Sequence, residues 1–103
     1  MNRLVLSATL VERGVTRYTP AGLPALDLSL SHESEVTENG HPRKVTVEVR
    51  AVGIGEVTQA LGALALGTQA VFAGFLANAR NGRGIVLHVN EVEPLVQVSF
   101  NES

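Results

Sequence analysis

Five short apolar runs punctuate this chain, and one stretch of helical spacing lies between the third and the fourth. In the first run Leu4, Leu6, Ala8 and Leu10 share one side of an extended backbone, with Arg3, Ser7 and Thr9 opposite. That alternation predicts a half-buried strand over Arg3–Glu12, continuing raggedly through Gly14 towards Tyr18. Gly14 is placed for a bulge, which a small barrel needs where a long strand curls. Thr19-Pro20-Ala21-Gly22 follows as a type I turn, with proline second and glycine fourth. Leu26, Leu28 and Leu30 then alternate with Asp27, Ser29 and Ser31, a second strand with one wet face. Glu33 to Lys44 is polar, contains Asn39-Gly40, and reads as a long hairpin loop with a flexible tip. Val45, Val47, Val49 and Ala51 against Thr46, Glu48 and Arg50 make the third strand the cleanest of all.

From Gly53 to Gly67 the period changes. Val57, Ala60, Leu61 and Leu64 fall at i, i+3, i+4 and i+7, one face of a helix. Gly67 suits its C-terminal cap, and Gly62 inside it costs about 1 kcal/mol relative to alanine, so a short helix is expected. Ala70 to Ala77 is apolar on both faces, as in a strand covered twice, with Phe72 and Phe75 read as core. Arg80-Asn81-Gly82-Arg83 is a hairpin tip. Ile85, Leu87 and Val89 form one face of a fifth strand, which Val92 to Phe100 prolong past Pro94.

Strand, strand, strand, helix, strand, strand is the layout of the OB-fold. The expectation is therefore an all-β, five-stranded Greek-key barrel with a short helix between strands three and four, one domain spanning residues 1–103. Such barrels usually bind single-stranded nucleic acid or another protein.

Composition narrows the chemistry. With no cysteine there is no disulfide, no thiolate nucleophile and no cysteine-based zinc site, which suits the cytoplasm. No apolar stretch has the length of a signal-peptide core or of a membrane span, so neither a membrane nor export is expected. His32, His41 and His88 are too scattered for a metal, and no cofactor is called for. Ser7, Ser29 or Ser31 with a histidine and Asp27 would be needed for a triad, and nothing in their spacing supports one. Gly82-Arg83-Gly84 is turn chemistry and forms no phosphate-binding glycine motif. The chain does not read as an enzyme, and no small-molecule substrate is expected.

Charge then decides what a binder of this shape can hold. Eight Lys and Arg stand against ten Asp and Glu, a net charge of −2, which counts against tight binding of a polyanion. Six of the eight cations nonetheless flank three loops: Arg13 and Arg17, Arg43 and Lys44, and Arg80 and Arg83. In OB-folds the loops after strands one and four border the oligonucleotide face. Base stacking on aromatic side chains supplies the other part of such binding, ~1–3 kcal/mol each. Here only Tyr18 and His41 look free to stack, so binding is expected to be weak and salt-sensitive.

Asn2-Arg3-Leu4-Val5-Leu6-Ser7, Thr19-Pro20-Ala21-Gly22-Leu23-Pro24, Gly74-Phe75-Leu76, Asn81-Gly82 and Val86-Leu87-His88 stand in an order that resembles the primosomal replication protein N (PriB) family. The likeness covers nearly the whole chain. Bacterial single-strand DNA-binding proteins share the opening Asn-Arg-Leu but carry a long disordered tail, whereas this sequence stops at Ser103. The resemblance implies an OB-fold homodimer that binds single-stranded DNA and the primosomal helicase PriA during replication restart. It assigns phosphate contacts to Arg17, Arg80 and Arg83. Departures are also visible: His41 and Thr46 stand where some members carry a loop aromatic and a tryptophan, Glu33 occupies a basic position, and the last hairpin has fewer positive charges. The nucleic-acid contacts expected on all grounds are Arg17, Tyr18, His41, Arg43, Lys44, Arg80 and Arg83. The competing expectation is an OB-fold protein–protein interaction module with negligible DNA binding.

Overall fold

The strand Leu4–Arg13 (β1) is hydrogen-bonded along both edges, and that double pairing sets the architecture. In the computed structural model, which describes residues 1–95, it is followed by β2 (Arg17–Tyr18), β3 (Pro24–Glu38) and β4 (His41–Ile54). Helix α1 (Val57–Ala63), β5 (Gln69–Asn78) and β6 (Ile85–Pro94) complete the order. The sheet runs β1-β5-β6-β4-β3-β2, and a β1–β3 pairing rolls its five long strands into a closed barrel. All neighbours are antiparallel except β4 and β6, which run parallel where Ala51, Val52 and Gly53 meet Leu87, His88 and Val89.

The all-β OB-type barrel is thus present, with a correction to its numbering. The helix lies between β4 and β5, because the short segment Arg17–Tyr18 pairs with Ala25 and Pro24 and forms a strand of its own. Among the five long strands it still follows the third. Helix α1 is also shorter than the interval from Gly53 to Gly67. Gly53 belongs to β4, where a Cβ would lie 2.3 Å from Leu61 Cδ1, so its hydrogen lets the helix settle onto the wall.

The segment from Glu33 to Lys44, expected as a loop, is instead paired backbone. β3 and β4 stay in register from Ala25↔Ile54 to Glu38↔His41. Only Asn39 and Gly40 turn the chain, both at positive φ (52° and 78°), the conformation a tight two-residue hairpin demands. β1 stops pairing with β3 at Thr9↔Ser31. His32 still reaches the Ser7 carbonyl through Nδ1 at 2.6 Å; past it the ribbon leaves the barrel, and the β3 half of its sequence shows no apolar alternation.

The bulge in β1 falls at Val11, between the pairs Leu10↔Leu30 and Glu12↔Ser29, and not at Gly14. Gly14 continues the ladder by donating its N–H to the Asp27 carbonyl at 2.8 Å. A second irregularity interrupts β5–β6 pairing between Ala73 and Gly74. There the backbones approach so closely that a Cβ on Gly74 would stand 1.7 Å from the His88 carbonyl oxygen.

Phe72, Leu10, Leu30, Leu61 and Leu87 are fully buried at the centre, and Leu64 of the segment after α1 packs with them. Each such side chain contributes roughly 1.5–3 kcal/mol through removal from water. Phe75, expected in the core, is on the outside of the wall: it is 36% exposed and stacks on the His88 ring at 4.8 Å between centroids. The prolongation of the last strand to Phe100 lies outside the described residues.

Two glycines separate crowding from propensity. Gly74→Ala is expected to lose at least ~2 kcal/mol in urea unfolding, because backbone has to move. Gly62→Ala, exposed on α1 with only Leu26 Cδ1 at 3.8 Å, is expected to gain up to ~1 kcal/mol.

Candidate nucleic-acid interface

Directly opposed residues of an antiparallel pair project to the same side, so the register of β3 and β4 sorts the ribbon into two faces. Leu28/Ala51 and Leu30/Val49 face the core. The same side continues outward as His32/Val47, Ser34/Val45, Val36/Arg43 and Glu38/His41. The other side carries Asp27/Val52, Ser29/Arg50, Ser31/Glu48, Glu33/Thr46 and Glu35/Lys44.

The foot of this outer face holds a bidentate ion pair. Arg17 reaches from β2 to the Asp27 carboxylate with a two-pronged grip, Nε to Oδ2 and Nη2 to Oδ1, each 2.9 Å. The hydrogen bonds from Arg17 hold the Asp27 carboxyl below its usual range, against the opposing effect of partial burial, and the charges of Arg17 and Arg80 add to the effect. The Arg17 guanidinium is correspondingly pushed up by Asp27. Arg80, from the turn between β5 and β6, therefore shares the field of the same carboxylate.

That last turn is tightly built. Gly82 donates to the Ala79 carbonyl at 2.9 Å, Ala79 to Gly84 at 3.0 Å, and the Asn81 side chain accepts from the Arg83 N–H at 2.8 Å. The arrangement leaves the side chains of Arg80 and Arg83 exposed. The preceding turn is closed by Gly22 N–H to the Thr19 carbonyl at 2.8 Å, and Tyr18 beside it is 69% exposed.

The remaining expected residues lie elsewhere. Lys44 is eight residues along β3 from the level of Asp27, about 27 Å at ~3.4 Å per residue. It shares the outer face with Arg17. His41 and Arg43 are on the opposite face of the ribbon, and Arg43 is held there by Glu38 at 2.5 Å. Arg13, which the loop inventory counted among the cations, is a structural residue. Its guanidinium donates to the Leu61 and Leu64 carbonyls and so satisfies the C-terminal end of α1.

One cation was missed by looking for charge only in loops. Arg50 is exposed on the outer face opposite Ser29, two residues along from Asp27, and so stands between Arg17 and Lys44. Its alternation with Val49 and Ala51 was the available signal. Lys44, Arg50, Arg80 and Arg83 form no ion pair with another described residue. The same face also bears Asp27, Glu33, Glu35 and Glu48, so cations and carboxylates are interleaved along it. Among the described residues no three His, Asp or Glu side chains converge as a metal ion needs. Among the described residues no helix is long and apolar enough to cross a membrane.

A closed barrel with an exposed polar ribbon and basic turns at its foot is the form of the single-strand binding proteins. Residues 2–91 match a family described as another single-strand binding protein family. The replication restart protein PriB of Bordetella pertussis is 54% identical over 80 residues, 78% of this chain and 75% of that one. The solved structure of PriB from Ralstonia solanacearum superposes with a TM-score of 0.83 at 40% identity, covering 91% of this chain and 97% of that one. The wild-type single-stranded DNA binding protein of Thermus aquaticus gives 0.74 at 28% identity, covering 93% of this chain and 50% of that one. The chain belongs to the PriB family of replication restart proteins, within the single-strand binding proteins.

The ion pair predicts a pH dependence. Because the folded-state pKa of Asp27 is lowered, its stabilisation is complete above the unfolded value of about 3.9 and fades as pH falls through the lowered folded value. The pair is half exposed, so the effect amounts to ~0–1 kcal/mol. Carboxyl NMR titration is expected to place Asp27 below ordinary aspartates, and Arg17→Ala to bring it back up.

Proposed function

We propose that this protein is an accessory factor of the primosome that holds single-stranded DNA weakly and binds the helicase PriA during replication restart. It acts in the cytoplasm, as one OB-fold domain without chemistry of its own. The observation that carries the reading is the line of cations on one face of the β3–β4 pair, Arg17 at the level of Asp27 and then Arg50 and Lys44, with the charge of Arg80 acting on Asp27 beside them. A strand laid from the last hairpin across this foot and out along the ribbon meets Arg83, Arg80, Arg17, Arg50 and Lys44 in turn. Tyr18 offers an exposed ring for one base at the start of the path. Arg43 and His41 come into play only where the strand passes over the ribbon tip. The names of the relatives, replication restart and single-stranded DNA binding, agree with this reading.

The interleaved carboxylates favour a second reading, in which the same face serves a protein partner and nucleic acid is held negligibly. The salt dependence of binding to labelled dT oligomers separates the two. With Lys44, Arg50, Arg80 and Arg83 each neutralising a phosphate, log affinity is expected to fall with log salt at a slope of about −2.8, at ~0.7 per contact. A slope near zero, or no binding at low salt, supports the protein module instead.

The protein acts as a homodimer in this proposal. Val5 of β1 and Phe75 of β5 are 55% and 36% exposed on the outer side of neighbouring strands, an apolar area that a second copy would cover. Light scattering at micromolar concentration is expected to give twice the 10.9 kDa of one chain. A mass of one chain contradicts it.

A further inference from the structure

Asp27 is the only aspartate in the chain, and it stands in the middle of the proposed path. Its carboxylate takes the Nε and one Nη of Arg17, the side-on grip by which a guanidinium also takes a phosphate. The carboxylate lies within the field of Arg80 as well. We propose that Asp27 is a built-in competitor for the polyanion: it occupies Arg17, so that a nucleic-acid phosphate must displace a carboxylate before it gains this contact. The inference rests on the reading of the outer face as the single-strand path and assigns to Asp27 the weakness of that path.

Two properties make the pair an exchangeable latch and not a permanent fastening. Both partners are accessible, with the Arg17 side chain 34% and the Asp27 side chain 58% exposed. Exposed pairs of this kind are worth little to the fold, so they yield readily to a better anion. The loop that carries Arg17 has other attachments. Gly14 is bonded to the Asp27 carbonyl through backbone alone, Arg17 and Tyr18 pair with β3, and the Thr19 turn closes on itself. The loop therefore keeps its place when the carboxylate lets go.

Charge arithmetic separates a competitor from a carboxylate that merely aims the arginine. Affinity for a single strand comes mainly from counterions released when a cation neutralises a phosphate. An arginine already matched by a carboxylate brings no net charge to the encounter. Aiming would help only if orientation outweighed that loss, and an exposed pair on the rim gives up little orientation in return. The two roles predict opposite signs for Asp27→Asn, which keeps the shape and removes the charge.

The test is anisotropy of labelled dT oligomers against salt for wild type, Asp27→Asn, Arg17→Ala and the double variant, with retention on heparin as a second polyanion. Asp27→Asn is expected to tighten dT binding about five- to tenfold at low salt and to steepen the slope by about 0.7, the share of one recovered phosphate. In the Arg17→Ala background the gain is expected to vanish. Weaker binding by Asp27→Asn would make Asp27 an orienting residue and overturn the proposal. A gain that persists without Arg17 would reduce it to general repulsion and overturn it equally. Later heparin elution of Asp27→Asn that depends on Arg17, with no dT binding by any variant, would sustain the latch while removing the single-strand reading. Unchanged dT and heparin affinity in a wild type that does bind dT would remove the latch alone. Silence in both assays would remove both.

Discussion

The double pairing of β1 is the constraint from which the interface follows. β1 pairs with β5 through Leu4–Thr9 and with β3 through Thr9–Arg13, and the extra residue at Val11 supplies the bend that closing the wall takes. Closure curls the wall so that Arg80, far along the chain from β2, is near enough to Asp27 for its charge to act on that carboxylate. It also ends the β1–β3 ladder at Ser31, which releases the outer halves of β3 and β4 as a free ribbon. Without the closed wall, Arg17, Arg80 and the ribbon face would have no common geometry.

Electrostatics then sets what that geometry can do. The outer face resembles a track for a polyanion in its placement of cations, yet a carboxylate stands near most of them. With water on both sides, salt screens each of these charges beyond a Debye length of roughly 8–10 Å. A ligand held here gains from local exchange of partners more than from long-range attraction. The apolar wall around Val5 and Phe75 has a different character and belongs with protein contacts.

Much of the barrel was legible in the sequence because its strands are covered on one side only. Val49 and Ala51 alternate with polar neighbours for that reason, Val45 and Val47 carry the same alternation out onto the ribbon, and Asn39-Gly40 announces a hairpin whatever surrounds it. The ribbon was hidden for the opposite reason: His32 to Glu38 is wet on both faces, so no periodicity marks it as extended. Phe75 shows the limit of composition. In a run apolar on both faces an aromatic looks like core, and only the register reveals that Phe72 points in and Phe75 out. The helix stripe was partly misleading too, since Ala60 is exposed and Thr58 is buried beside Leu61.

The site was less legible than the fold. Arg17, Arg80 and Arg83 are legible as loop cations, and closure accounts for the charge of Arg80 acting on the carboxylate that Arg17 holds. Arg50 was passed over as an ordinary strand residue, and the grip of Asp27 on Arg17 needs the β2–β3 register that no spacing reveals. Arg43 and Lys44 are adjacent in sequence, yet an extended strand sends them to opposite faces.

The most direct test of the account is an NMR map of the protein titrated with an unlabelled dT oligomer at low salt. Shifts are expected to follow Arg83, Arg80, Arg17, Arg50, Thr46 and Lys44 along one face, leaving Val5, Phe75 and His88 unmoved. Shifts concentrated on Val5, Phe75 and His88, with the outer face of β3 and β4 silent, would contradict it.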